Sequence, residues 1–226
     1  MENVLIGLLG SLLVLDTTVA FQFLISQPLI TSTLLGWFLG DMQLGLEVGF
    51  YLQLLWLSSM PVGAAIVPEG NIAAIVITAL VLRYNAIYHN FYTLLVTGII
   101  YGILVSFVGG ELVVLYRKIN VKLMQKLLYK AKMGYFFRLS RINLTALFLH
   151  YVLMFILITI ALFCGDILYG FFESIPADWE QYFRYGSIGI IGIGVGLILP
   201  LYREKSNLVF IIIGLVAGIF FFMILR

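Results

Sequence analysis

The second half of the chain contains four apolar segments, each about as long as a helix that crosses a lipid bilayer. They have 18 to 25 residues, and a spanning helix needs about 20. The segments are 91–115, 142–165, 183–200 and 207–225. Because 62% of the chain is hydrophobic and only 11% is charged, a soluble globule of this size could not bury its apolar surface. The sequence therefore predicts an all-α integral membrane protein with about four full spans in its C-terminal half.

The basic residues indicate how these spans are oriented. All 13 Lys and Arg residues follow position 82, and eight of them lie from Arg117 to Arg141 with no acid among them. Positive loops face the cytoplasm, so we expect 116–141 to be a basic cytoplasmic loop. The acidic stretch from Asp166 to Glu180 would then lie outside, one span later. Nucleic-acid binding is disfavoured, because apolar spans flank the basic segment on both sides.

The first half is divided into shorter apolar runs. Residues 3–15, 29–40 and 72–82 form runs of 13, 12 and 11 residues, lengths typical of re-entrant or broken segments. Residues 42–60 could span once. We therefore divide the chain into three parts, listed in order: a broken-helix substrate-binding half plus one full span (1–115), the basic loop (116–141) and a three-span C-terminal part (142–226).

Residues 60–71, with the sequence MPVGAAIVPEGN, interrupt the first half most strongly. Pro61 and Pro68 each remove a backbone donor, while Gly63 and Gly70 permit unusual backbone conformations. At membrane depth such a segment must be buried in protein or line a wet cavity. Transporters place discontinuous backbone of this kind at their substrate sites. The alternative is an extramembrane loop, against which the low polarity of the segment counts.

The polar residues of the first half favour a neutral, hydroxyl-rich ligand. The first 82 residues contain no Lys or Arg, which an anionic substrate would need. Amides and carboxylates can accept from and donate to hydroxyl groups, and this half offers Gln22, Gln27, Gln43, Glu47, Gln53, Glu69 and Asn71. A cation site is the rival interpretation, since five acids are present. For Asp16 and Asp41, helix capping is an equal alternative.

Glycine pairs at four-residue spacing recur along the chain. This spacing lets helix backbones approach closely in lipid, and predicts a tightly packed bundle with partner subunits. The pairs are Gly36/Gly40, Gly45/Gly49, Gly98/Gly102, Gly192/Gly196 and Gly214/Gly218.

The sequence predicts no catalytic residue, metal site or cofactor. His89 and His150 are 61 residues apart, and neither has a second ligand type at metal spacing. Cys164 is the only cysteine, and no histidine stands near it in the sequence to activate it as a nucleophile.

One region resembles a known family. Residues 28–75, PLITSTLLGWFLGDMQLGLEVGFYLQLLWLSSMPVGAAIVPEGNIAAI, combine a small-rich helix ending in LGD, then GxxxG, then LQLxxL, then PVGAA with a Pro-acid step. Their order and spacing resemble the membrane C subunit (enzyme IIC) of the mannose/fructose/sorbose-type bacterial sugar phosphotransferase system. Pro68-Glu69 stands where we would expect Pro-Asp, and Gln53 stands where some relatives carry Glu.

The resemblance implies a multi-pass sugar-translocating subunit of the bacterial inner membrane. Such a subunit pairs with a membrane D subunit in larger oligomers, while soluble A and B subunits relay phosphate and phosphorylate the sugar. The C subunit itself carries no phosphorylated residue.

We therefore predict a hexose-type sugar site formed by Gln22, Gln53, Glu69 and Asn71. Pro61, Gly63, Pro68 and Gly70 would supply its discontinuous, gating backbone. A cation-coupled secondary transporter and a membrane scaffold without transport are the alternatives.

Overall fold

The computed structural model describes residues 1–20, 22–58, 68–133, 139–176, 178–202, 209 and 212–214. This described part is helical with short connections and contains no strand, which confirms the all-α prediction. Two short 3₁₀ helices, Phe171–Ser174 and Leu199–Tyr202, follow the sixth and seventh α-helices. In chain order, the main helices are α1 (Glu2–Thr18), α2 (Pro28–Leu39), α3 (Met42–Trp56), α4 (Gly70–Tyr88), α5 (Phe91–Lys132), α6 (Leu139–Gly170) and α7 (Trp179–Ile198).

Helix α4 lies at the centre of this arrangement. Every residue from Gly70 to Leu82 is buried, and the helix packs against α1, α2, α3, α5 and α6. A helix that is apolar on all faces is stable only when other elements surround it. The Thr78 hydroxyl is paired as well, since it donates to Ser32 Oγ of α2 at 2.8 Å.

The prediction of a short run at 72–82 was wrong about length. We expected the run to end before Arg83, but the helix continues to Tyr88. It can do so because the Arg83 guanidinium is paired on both sides, with Asp166 at 2.6 Å and Glu2 at 3.2 Å. With 19 residues, α4 is long and apolar enough to cross a membrane.

Helices α2 and α3 form a tight hairpin. Gly40 ends α2 at a φ of 94°, a conformation that favours glycine, and Asp41 caps α3 by accepting from the Leu44 N–H at 2.9 Å. The backbones then touch, because a Cβ atom placed on Gly36 would lie 2.8 Å from Gly45 Cα. At 1.5 Å per residue, the 12 and 15 residues of these helices cover about 18 and 22 Å, less than the hydrocarbon thickness of about 30 Å.

The predicted spans 91–115 and 142–165 lie within α5 and α6. These helices have 42 and 32 residues, and both contain stretches long and apolar enough to cross a membrane. Helix α7 overlaps the predicted span at 183–200 but falls outside that group, because its first two turns are polar. The predicted span at 207–225 lies almost wholly outside the described residues.

The segment 116–141, which we expected to be a loop, is helical through Lys132. The sequence from Glu111 to Met133 contains no Gly or Pro, and its many Leu and Lys residues favour helix. Charge indicates on which side of the membrane a segment lies and does not decide whether it is helical. Residues 134–138 lie outside the described part, and the cytoplasmic placement stays a prediction.

Helix α1 runs antiparallel to α4 and is attached to the bundle at both ends. Near its start, Asn3 Nδ2 donates to Asp166 Oδ2 of α6 at 2.6 Å. Near its end, Thr17 meets Asn71 in the first turn of α4. The polar C-terminal end of α1 is therefore held beside the N-terminal end of α4.

A first prediction concerns the hairpin contact. Replacing Gly36 by Ala would place a Cβ atom 2.6 Å from the Asp41 carbonyl oxygen, and overpacking of this kind costs about 1–3 kcal/mol. We expect a lower free energy of unfolding for the purified protein in detergent. Gly189→Ala is the matched control, since nothing lies within 4 Å of its Cβ position and alanine favours helix over glycine. Equal stability of the two variants would contradict the contact.

Candidate functional site

The residues that precede and open α4 are fixed by α5. The Glu69 N–H donates to the Ser106 carbonyl at 3.0 Å, and Glu69 is half-buried. Its side chain packs against Gly109, where an added Cβ atom would lie 3.2 Å from Glu69 Cβ. A larger residue at position 109 would therefore displace the carboxylate-bearing side chain.

Asn71 lies in the first turn of α4. It is buried, and its side-chain amide makes two short hydrogen bonds. Its Nδ2 donates to Thr17 Oγ1 of α1 at 2.5 Å, and its Oδ1 accepts from the Ile72 N–H at 2.7 Å. An asparagine amide has two donor hydrogens and an acceptor with two lone pairs. The orientation of this amide is thus set, and the Asn71 side chain also hydrogen-bonds with the Glu69 carboxylate.

Asp16 precedes Thr17 and organises the turn that leads into α2. Its Oδ1 accepts from the Phe23 N–H at 2.7 Å. Its Oδ2 accepts from the Ser26 N–H at 3.3 Å and from the Ser26 hydroxyl at 3.4 Å. The turn also contains Gln22, whose φ is 56° and whose side chain is exposed.

Two glutamines connect this turn to α3. Gln53 Nε2 donates to Gln27 Oε1 at 3.2 Å, and Gln53 Oε1 accepts from the Leu29 N–H at 3.2 Å. Leu29 is in the first turn of α2, where backbone N–H groups lack partners within the helix. Gln53 therefore caps a neighbouring helix and retains one N–H for another partner.

Trp56 connects α3 to the start of α4. It lies one helical turn after Gln53, on the same side of α3, and a Cβ atom placed on Gly70 would collide with its indole. Glycine at position 70 thus lets the ring lie directly on the start of α4. Together these residues form what we call the polar cluster: Asp16, Thr17, Ser26, Gln27, Gln53, Trp56, Glu69, Gly70 and Asn71.

The structure thus brings together most of the residues that the sequence singled out. Gln53, Glu69 and Asn71 belong to the polar cluster, while Gln22 lies on its turn. Of the backbone positions, Pro68 is half-buried and Gly70 is in contact with Trp56. Pro61 and Gly63 lie outside the described residues.

Sequence reasoning did not include Asp16, Thr17, Ser26 or Gln27 in the site. Asp16 was weighed as a helix cap, but its three acceptor contacts reach forward into the next turn instead. The available sequence signal was the polar pair Asp16-Thr17 at the end of an apolar run, which is followed within ten residues by more polar side chains.

The cluster contains amides, hydroxyls, an indole and two carboxylates, but no Lys or Arg. In the described part of the chain, no three His, Cys, Asp or Glu residues lie close enough to hold a metal ion. The arrangement is suited to hydrogen bonding with a neutral ligand.

An apolar groove elsewhere in the bundle has a different character. It lies between α1 and α2 and has a volume of about 230 Å³. The residues that line it are Leu9, Leu12, Leu13, Leu34, Leu35, Trp37 and Phe38. Such a lining suits hydrocarbon and offers almost nothing to a hydroxyl-rich molecule.

Comparison with known proteins decides the family. Residues 1–225 match the family model EII-Sor, described as the sorbose-specific IIC component of the phosphotransferase system (PTS). The chain belongs to this IIC family. It is therefore a sugar-translocating membrane subunit of a phosphotransferase system, and a cation-coupled transporter or a scaffold is not favoured.

Individual relatives agree with this assignment. The IIC chain is 27% identical over 202 residues to the mannose-specific EIIC component of Escherichia coli K12, covering 88% of this chain and 73% of the relative. It is 26% identical over 199 residues to the sorbose-specific EIIC component of Klebsiella pneumoniae, covering 87% and 72%. It is 25% identical over 195 residues to the fructose permease IIC component of Bacillus subtilis 168, covering 86% and 70%.

Solved structures share the IIC fold. A chain described as a membrane protein superposes with a TM-score of 0.74 at 24% identity, covering 97% of this chain and 87% of that one. A chain from the mannose transporter ManYZ in complex with microcin E492 gives a TM-score of 0.58 at 24% identity, covering 96% and 84%. The chain is thus a multi-pass membrane protein.

A second prediction tests the cap that Gln53 provides in this IIC chain. Gln53→Leu removes the acceptor for the Leu29 N–H and should lower the free energy of unfolding by about 1–3 kcal/mol, the cost of an unsatisfied buried donor. Gln53→Glu keeps an oxygen at that position and should retain most of the stability. Thermal unfolding in detergent measures both, and equal losses would contradict the capping role.

Proposed function

We propose that this IIC chain binds a hexose-type sugar at the polar cluster and delivers it to a partner subunit for phosphorylation. The observation that carries the proposal is the composition of the cluster. Buried and half-buried amides and a carboxylate converge at the start of α4. The cluster itself contains no Lys or Arg, although the charge of Arg117 on α5 acts on the Glu69 carboxylate. Sites that hydrogen-bond hydroxyls discriminate well, because a wrong ligand leaves buried groups unpaired.

Each side chain has a chemical role in this proposal. Glu69 accepts from two sugar hydroxyls through its two carboxylate oxygens. The Asn71 amide orients the Glu69 carboxylate by hydrogen bonding to it, and the Gln53 amide donates to a further sugar hydroxyl. The exposed Gln22 side chain contacts the sugar from the neighbouring turn, and Trp56 offers an indole face against which a pyranose can stack.

The backbone around this site also contributes. Pro68 and Gly70 flank Glu69, and Pro61 and Gly63 lie in the preceding stretch of sequence. In our proposal, the polar backbone groups of residues 60–71 line a wet cavity and change exposure as the sugar passes, as alternating access requires. The relatively long carboxylate of Glu69, where we expected Asp, influences which sugar fits.

The partners follow from the family. The mannose, fructose and sorbose names of the relatives support a hexose-type sugar. The structure of the mannose transporter ManYZ supports pairing with a membrane D subunit. We further propose soluble A and B phosphocarriers, assembly into a larger oligomer, and location in the bacterial inner membrane. The phosphoryl chemistry would belong to the partners.

A third prediction tests the carboxylate. Glu69→Gln should weaken sugar binding by at least about tenfold, because a hydrogen bond to a charged group contributes about 1.5–3 kcal/mol and 1.4 kcal/mol is a factor of ten. The measurement is sugar-dependent thermal stabilisation of the purified complex, since a ligand of the folded state stabilises it. Mannose, fructose and sorbose serve as the first ligands.

Glu111→Gln is the matched control, because Glu111 is exposed on α5 and lies outside the cluster. It should bind sugar as the unmodified protein does. Unchanged binding by Glu69→Gln, or equal losses in both variants, would refute the assignment of Glu69.

A further inference from the structure

We propose that the C-terminal end of α1 is part of the sugar site, with Asp16 and Thr17 as its positioning residues. This inference rests on the proposed function and extends it to a helix that the sequence analysis did not connect with the substrate. Thr17 orients the Asn71 amide, and Asp16 fixes the turn through which α1 is joined to Gln27 and Gln53.

The contact between Thr17 and Asn71 joins residues that are far apart in the sequence. They are separated by 54 positions, and Thr17 Oγ1 accepts from Asn71 Nδ2 at 2.5 Å. Asn71 is 5% exposed, so its amide has few ways to rotate once Oδ1 accepts from the Ile72 N–H. If the Thr17 oxygen were removed, the amide would lose the partner that helps to orient it toward the Glu69 carboxylate.

Thr17 is itself exposed. A hydroxyl that accepts from Asn71 still has its own proton to donate. Thr17 is therefore an exposed residue in contact with the buried Asn71 amide, and its hydroxyl proton can be donated to a ligand.

Asp16 is a buried carboxylate whose described partners are all neutral. It is 6% exposed, and its oxygens accept from Phe23 and Ser26 alone among the described residues. Burying a carboxylate is unfavourable unless strong hydrogen bonds compensate, and hydrogen bonds to an ionised acceptor are among the stronger ones. The Asp16 carboxylate thus stabilises the turn more strongly than a neutral side chain would.

The backbone of this turn is strained and requires stabilising contacts of this kind. Gln22 and Leu24 have φ values of 56° and 67°, which are unfavourable for residues other than glycine. Strained backbone of this kind persists only where surrounding contacts determine it, and it is frequent at functional sites. The bonds from Phe23 and Ser26 to Asp16 lie on either side of Leu24, so the carboxylate holds the strained step from both directions.

The first test compares Thr17→Val with Thr17→Ser in the assembled complex. Valine has the shape of threonine without the oxygen, whereas serine keeps the hydroxyl. We expect Thr17→Val to raise the dissociation constant of the sugar about two- to tenfold, the range for one neutral hydrogen bond. The midpoint of thermal unfolding without sugar should fall as well, because the buried Asn71 donor loses its acceptor, and Thr17→Ser should restore both the midpoint and the affinity.

The second test concerns Asp16. Asp16→Asn keeps an oxygen for the Phe23 N–H but replaces the oxygen that accepts from Ser26 by an amide NH₂ group, which donates. It should weaken sugar binding more than Ser26→Ala, which removes only the hydroxyl and leaves the Ser26 N–H in place. Asp41→Asn is the control, since asparagine caps α3 as well as aspartate does, and it should leave the affinity unchanged.

The outcomes separate this inference from the proposed function. Sugar affinity at the unmodified level in Thr17→Val, or losses that Thr17→Ser does not recover, would overturn the role of Thr17. An unliganded midpoint that falls in Thr17→Val while the sugar affinity stays at the unmodified level would assign the contact to stability alone. If Glu69→Gln weakens binding while both α1 variants bind normally, only the α1 inference fails; if Glu69→Gln also binds normally, the proposed site itself fails.

Discussion

The architecture depends on the enclosure of α4 from Gly70 to Leu82. An apolar helix gains little from association in lipid unless its neighbours pack closely, and here glycines allow that approach, as where Ile77 of α4 meets Gly98 and Gly102 of α5. Apart from the hydrogen bond between Thr78 and Ser32, the polar contacts seen for α4 among the described residues lie near its two ends. At one end Arg83 is paired with Asp166 and Glu2, and at the other the Glu69 backbone and the Asn71 amide are held by Ser106 and Thr17. The packing of α4 thus determines both the arrangement of the surrounding helices and the position of the polar cluster.

This confinement explains why the candidate site lies where helices begin and end. Within a helix the backbone satisfies its own hydrogen bonds, and in lipid this requirement is strict. At the ends of α1 and α3 and the starts of α2 and α4, backbone N–H and C=O groups lack partners within the helix. They can therefore hydrogen-bond to side chains or to a ligand. Gln53, which caps α2, and Asn71, which contacts both Thr17 and Glu69, are therefore held at such helix ends.

The sequence predicted the helical class, two of the long spans and four members of the polar cluster, because apolar run length, polar residues in apolar surroundings and Pro/Gly interruptions are local signals. It failed where the outcome depended on distant partners. The length of α4 depends on Asp166, which is 83 positions away from Arg83. The helical continuation of α5 through Lys132 was missed because positive charge was taken to mean a loop. The role of Asp16 depends on a turn whose backbone conformation leaves no pattern in the sequence.

The central claim is that the polar cluster at the start of α4 receives the sugar. The most direct measurement is a structure of the assembled complex with bound sugar, determined by electron cryomicroscopy. Our account predicts sugar density within hydrogen-bond distance, about 3 Å, of Glu69 and Asn71, with the ring face near Trp56. Sugar density elsewhere, with the cluster closed upon itself, would contradict it.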